Sequence, residues 1–384
     1  MKNISIAIII FVLLSKPVFG SEYRYLGYTG YVIGSSKVLG MGGAFTGISD
    51  DVNSVLYNPA GIVFSEAENI VSFSLATFTD KSIDLDKNSS DEVWKSDMYN
   101  FGFIHRTKRK NKFTWGIYVT SNYKIIFTND TSKKDKFILP LGAPGEEYEF
   151  EFDLGGFLVP LIWQVKENLS VGITPKICIS SLKAYEKIGA YENKLKQDAT
   201  IVNFDLSTMY IINDRFSLGL FYQPPAHFKF NENANSSLQN FKWFYDVYVP
   251  MQINTGLGYK FNKRIFLDFD LHYTKFKGNE SLVGSNLAEN LNNYKMARKY
   301  LLTPHIGTEY KTIFLKKELD VRAGYYYQPN IFSGIPPKDH LTFSFAWRIF
   351  KLPKNILLNY LTLGYSSDIA KNYDVQTINI DSEF

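Results

Sequence analysis

One cysteine, Cys178, is all the chain offers, so an internal disulfide framework is excluded. It sits in a strand-like run, where packing rather than thiol chemistry is its expected use. After residue 20 no apolar stretch reaches the roughly 18 residues that a membrane-crossing helix needs, so no helical anchor is expected in the mature chain. Charge of one sign is also scarce. Lys and Arg number 42 against 38 Asp and Glu, a net +4 that gives no reason to expect nucleic acid as a partner. Only five histidines occur, His105, His227, His272, His305 and His340, on separate elements and without a GxSxG elbow. A Ser–His hydrolase at the lipid interface is therefore not expected, and neither is any other catalytic role. His272 with Asp268 and Asp270 reads as polar lining rather than as a metal site, and no cofactor is implied.

What the chain does hold is aromatic residue, 31 Phe and 26 Tyr, with only 21% charged residues. From about Asn69 onward it alternates. Val71, Phe73, Leu75 and Thr77 oppose Ser72, Ser74 and Ala76; Phe113, Trp115, Ile117 and Val119 oppose Thr114, Gly116, Tyr118 and Thr120. Leu267, Phe269, Leu271 and Tyr273 oppose Asp268, Asp270 and His272, and Phe343, Phe345 and Trp347 oppose Thr342, Ser344 and Arg348. Such period-two patterning predicts strands with one apolar face. Short polar turns, among them 108–112, 166–168, 213–215, 261–264, 311–318 and 351–355, alternate with longer stretches at 79–97, 124–147, 183–199, 224–246, 274–299, 328–340 and 366–374. Tight turns at one end and long loops at the other describe an outer-membrane barrel.

The reading is all-β: a 14-stranded antiparallel transmembrane β-barrel with an N-terminal luminal hatch and both termini in the periplasm. A soluble sandwich is the alternative, and it does not explain long loops confined to one end. Residues 1–20 read as a secretory signal, with Lys2, the apolar stretch Ile4 to Leu14 and the site Val18-Phe19-Gly20. Residues 21–68 form the hatch or plug and 69–384 the barrel, its strand near Ile356–Tyr365 being the least clear. The glycines between Gly34 and Phe45 have neither GxGxxG spacing nor a GK[ST], which rejects a nucleotide loop. The apolar face of Tyr148–Val165 slips phase at Gly155-Gly156, suggesting a bulge or kink in the wall, or a plain barrel corner.

Leu39-Gly40-Met41-Gly42-Gly43-Ala44-Phe45, then Asp50-Asp51, then Tyr57-Asn58-Pro59-Ala60-Gly61 resembles the start of the FadL/TodX hydrocarbon transporters. Phe216–Tyr222, Asn254–Tyr259, Phe266–Asp270 and Arg322–Pro329 are similar to the family's strands. The resemblance implies import of long-chain fatty acids or aromatic hydrocarbons, by capture at external loops, binding at the hatch and sideways exit through the wall. It implies that Asn58, Pro59, Ala60 and Gly61 form a hinge or gate touching the wall, where a mere tight turn is the other reading. In the family the wall kink lies on the third strand. Here that strand offers Gly116, and the phase slip falls at Gly155 and Gly156 on the fourth. Phe228, Phe230, Phe241, Trp243 and Phe244 are candidates for a loop capture surface or for an interfacial aromatic girdle. Expected partners are a hydrophobic small-molecule ligand, outer-membrane lipid and lipopolysaccharide, and the barrel-assembly machinery. A secretion-associated shuttle that binds cargo proteins and a general porin remain open.

Overall fold

The computed structural model describes residues 32–65, 67–80, 94–107, 113–130, 146–188, 191–229, 246–276, 299–329, 337–351, 360–370 and 373–383. Fourteen antiparallel strands close on themselves. They are β1 (Asn69–Asp80), β2 (Trp94–Arg106), β3 (Phe113–Asp130), β4 (Glu146–Leu158 and Leu161–Lys166), β5 (Leu169–Ile188), β6 (Tyr191–Ile211) and β7 (Phe216–Gln223 and Ala226–Lys229). The wall continues with β8 (Asp246–Val249 and Met251–Lys260), β9 (Ile265–Lys275), β10 (Tyr300–Phe314), β11 (Lys317–Gln328), β12 (Lys338–Lys351), β13 (Tyr360–Ala370) and β14 (Tyr373–Glu383). β1 pairs with β14 from Ile70↔Glu383 to Asp80↔Tyr373, which removes the edges that lipid could not satisfy.

Three strands come in two pieces, and each break holds proline: Pro160, Pro224-Pro225 and Pro250. A ring nitrogen donates nothing to the ladder, so pairing lapses there and resumes. Outward residues are apolar and exposed, as with Phe73, Leu75, Leu267, Phe269, Phe343 and Phe345. Their inward neighbours Ser72, Ser74, Asp268, Asp270, Thr342 and Ser344 are buried. A greasy belt over a polar interior follows directly from the alternation.

Two expected external loops are strand instead. β5 and β6 pair from Leu169↔Tyr210 to Ile188↔Tyr191, so most of 183–199 is a hairpin. β13 and β14 pair out to Ala370↔Tyr373, leaving only 371–372 of the stretch 366–374 between them. These segments read as loops because neither of their faces is consistently apolar. Backbone pairing, which every sequence can supply, forms the sheet there.

Residues 32–65 lie against the inner wall. Helix α1 (Ser36–Gly40) ends in Gly42 at φ 65°, where the Gly43 and Gly42 N–H groups donate back to the Val38 and Leu39 carbonyls. That is a Schellman stop, and its left-handed residue favours glycine. Two short 3-10 helices follow, Val52–Leu56 and Pro59–Phe64, the first capped by Asp51 accepting from Asn53 N–H and the second opened by proline.

Candidate functional site in the hatch and the wall

From α1 to Gly47 the hatch lies on inward-facing glycines. A Cβ at Gly324 would stand 2.4 Å from Gly42 N, one at Gly307 2.4 Å from the Met41 carbonyl oxygen, and one at Gly256 2.3 Å from Gly47 N. Asp270 accepts from Phe45 N–H (2.9 Å) and Thr46 N–H (2.7 Å), while His305 Nδ1 donates to the Gly42 carbonyl (2.6 Å). His305, Tyr326 and His340, direct cross-strand neighbours on β10, β11 and β12, stack with ring planes 13° apart and anchor through His340 to Asp368 (2.9 Å). Among the described residues no group of three or more histidine, cysteine or carboxylate side chains is arranged to hold a metal ion. His272 and Asp270, 3.3 Å apart, belong to this lining.

A charge network ties α1 to β10 and β11. Lys37 lies 2.7 Å from Asp50 and 3.5 Å from Glu309; Glu309 lies 2.6 Å from Arg322, which reaches Asp320 at 2.9 Å. Burial works to lower the Lys37 ammonium, but Asp50 and Glu309 outweigh it and hold it above its ordinary value. Asp51 goes the other way. Burial pushes its carboxyl up to about 6, helped by Asp50 and opposed by Lys37 and the Asn53 N–H.

Between the unfolded value of 3.8 and about 6, the folded chain carries the extra proton. Seating of the hatch is therefore firmest below the lower value and weakens as pH rises through the upper one. Maleimide labelling of a cysteine placed at Val55 is expected to climb with a midpoint near 6, and Asp51→Asn is expected to flatten that climb.

The Asn-Pro-Ala-Gly turn touches the opposite wall. Asn58 Nδ2 donates to the carbonyls of Thr46 (2.9 Å) and, on β6, Thr208 (3.1 Å), and Ser170 of β5 donates to the Ala60 carbonyl (2.6 Å). Pro59 and Gly61 are buried alongside, and Ala60 packs with Val63, Ile162 and Met209. The turn's hydrogen bonds go to β5 and β6, and its apolar side meets Ile162 of β4.

The wall irregularity beside Gly155-Gly156 is carried by the strand that faces them. The ladder of β4 with β5 runs unbroken from Glu146↔Ile188 through Gly155↔Ile179 to Leu158↔Lys176. The extra residue is Asn122 on β3, in the register shift between Ser121 and Tyr123, across from Leu154 and Gly155. No residue is inserted on β4, so Leu154 keeps the parity of Leu158 and Ile162, while Phe157 and Trp163 point outward. Leu158 and Ile162 face inward because the hatch there is apolar, with Leu158 packed in the cluster of Val52, Val55, Ile62, Ile70, Ile104 and Tyr118. Gly116 marks the foot of this region, its N–H donating to the Pro160 carbonyl (3.1 Å).

β2 and β3 part company at the same height. Their described ladder runs from Arg106↔Thr114 to Asn100↔Thr120 and stops. Beyond it, Trp94–Tyr99 stay paired with β1, and β3 stays paired with β4 out to Asp130. About 20 Å of strand thus forms a seam. Its foot is held by Thr120 donating to Asn100, and Asn100 to Ser74 (3.3 Å). Val52 of the hatch sits directly behind it, against Gly102. Periodicity does not show a seam, because 79–97 and 124–147 read as loops and pairing is a property of two segments. The signal available was Gly102, whose missing side chain makes room for Val52 and Tyr118.

Of the candidate capture residues, Phe228 is fully buried on the inward side of the second piece of β7, so it presents no exposed surface. Phe230, Phe241, Trp243 and Phe244 lie outside the described residues.

Solved structures share this architecture. A Pseudomonas aeruginosa FadL homologue superposes with TM-score 0.64 at 12% identity, covering 92% of this chain and 99% of its own. The Ralstonia pickettii toluene transporter TbuX gives 0.62 at 13%, covering 92% and 99%. The P. putida toluene transporter TodX gives 0.60 at 14%, covering 93% and 99%. No curated protein matches the sequence. The family model of the outer membrane protein transport protein (OMPP1/FadL/TodX) matches residues 29–336, and with a closed fourteen-stranded barrel around residues 32–65 the chain belongs to that family of outer-membrane transporters.

Proposed function

We propose that the protein passes long-chain fatty acids or monoaromatic hydrocarbons across the outer membrane by lateral exit. The solute enters the lumen above the hatch, displaces part of it, and leaves sideways between β2 and β3 into the bilayer. The observation that carries this reading is the coincidence of three features at one height: the end of the β2–β3 ladder, the extra residue on β3 and an apolar hatch cluster at the foot of the seam. An apolar solute gains by entering hydrocarbon directly instead of crossing a wet pore. Residues 1–20 serve as the secretory signal, 21–68 as the hatch and 69–384 as the barrel, and the Asn58–Gly61 turn fixes the hatch against β5 and β6. Outer-membrane lipid and lipopolysaccharide bathe the belt, the barrel-assembly machinery inserts it, and no catalytic step is involved. Proteoliposomes are expected to take up labelled oleate or toluene and to exclude labelled sucrose. Sucrose passage without either apolar solute would make the chain a porin and end this reading.

A further inference from the structure

The hatch is held in two unlike ways. From Ser36 to Gly47 its main chain is bonded to the wall. Ser36 N–H donates to Asn379 (3.1 Å), Phe45 and Thr46 N–H to Asp270, and the Gly40, Gly42 and Gly47 carbonyls accept from Thr342 (3.1 Å), His305 and Ser217 (2.6 Å). Between Val52 and Ile62, on the side facing β1 to β3, the contact is side chains: Val52, Val55 and Ile62 against Ile70, Ile104, Tyr118 and Leu158. Polar bonds there run through Asn53, which accepts from the Tyr118 hydroxyl (2.9 Å) and donates to Ser72 (3.5 Å). Ser49, at φ 43°, joins the two halves.

We propose that Tyr118 is the latch of the lateral exit, and that during transport only Val52–Leu56 moves while Ser36–Gly47 and the wall-bonded Asn58–Gly61 turn stay bolted. This rests on the lateral-exit reading above. The physical reason lies in what an apolar solute can replace. Entering behind the seam, it substitutes for Val52 and Val55 against Ile70, Ile104 and Leu158, so the cluster gives up little buried apolar area. It cannot substitute for main-chain hydrogen bonds, and freeing the first half would strand buried N–H and C=O groups. Tyr118 stands where these needs meet. It is the β3 partner of Gly102, two residues below the last β2–β3 pair, and its ring packs beside Val52 in the apolar cluster. Its one polar atom grips Asn53, so the phenol is the element that a solute must break and a small change can remove.

The test uses full-length protein carrying Cys178→Ser, reconstituted in liposomes, with Tyr118→Phe removing the hydroxyl alone. Reporter cysteines are placed singly at Val55, in the moving half, and at Val38, in the bolted half. Tyr118→Phe is expected to raise maleimide labelling at position 55, and uptake of labelled toluene, by about three- to tenfold, the equivalent of one ordinary hydrogen bond. Labelling at position 38 is expected to stay at its unsubstituted level. Asn53→Ala, which removes the other partner, is expected to give the same pattern if Tyr118→Phe does not insert. Unchanged labelling at position 55 in both variants would overturn the latch, and parallel increases at 38 and 55 would overturn the division of the hatch. Liposomes of unsubstituted protein that take up neither toluene nor oleate would refute the transport reading alone, because the labelling needs no solute.

Discussion

Gly256→Val is expected to push the hatch from its seat while leaving the cylinder closed. A side chain there would begin 2.3 Å from Gly47 N, 2.2 Å from Asp270 Oδ1 and 2.8 Å from the Thr46 carbonyl carbon, all closer than carbon can approach. Two of the three are main chain of the very segment that Asp270 grips, so no side-chain rotation gives relief. Overpacking of this kind costs about 1–3 kcal/mol, and it falls on the hatch because the wall is fixed by ladders on both sides of β8. Gly324→Val acts at Gly42, a different point of the segment, so the two changes should roughly add. Conductance in planar bilayers is the measurement. The double variant is expected to conduct ions at least about tenfold better than the parent, with heat-modifiable migration unchanged. A variant that folds and stays closed would show that the lumen is blocked by something other than this segment.

Glu309→Gln is expected to be the most destabilising single change of charge. Its carboxylate, 3% exposed, faces Arg322 at 2.6 Å, Lys37 at 3.5 Å and Lys311 at 3.4 Å. Neutralising it leaves Lys37 and the buried Arg322 with only Asp50 and Asp320, while Lys311, 41% exposed, can turn to water. Breaking a buried ion pair by removing one partner costs about 3–5 kcal/mol, far above the worth of an exposed pair. Urea unfolding in micelles should show a loss of that order, and Lys37→Met on the same background should restore part of it by removing an unmatched charge. A loss under about 1 kcal/mol would mean that the network is solvated and does not hold α1 to β10 and β11.

The barrel was legible in the sequence because one face of each strand must be apolar, and Phe73-Leu75, Leu267-Phe269 and Phe343-Phe345 display that face without ambiguity. Hatch and turn were legible through Gly42 and Pro59, whose backbone demands are local. What alternation misrepresented was Leu158 and Ile162. They are apolar and inward, in phase with Leu154, and alternation cannot distinguish lipid from an apolar plug as the thing being faced. Asn122 left no mark at all. An extra residue changes register between strands, and register is a property of two segments, not of one. The same holds for the tips of β5 and β6, where charged residues concealed a regular ladder.

That ladder gives the outer rim an unusual sensitivity to spacing. β5 has 20 residues and β6 has 21, a reach of about 66 Å along the strand, well beyond what the bilayer needs even with tilt. Had this rim been coil, residues could be gained or lost there one at a time. In a paired ribbon, a single insertion below the tip that is not absorbed as a bulge, as Asn122 is on β3, reverses the facing of every side chain between it and the membrane, carrying Lys176 outward and Ile177 inward. Within the ladder, length can therefore drift in even steps matched on both arms.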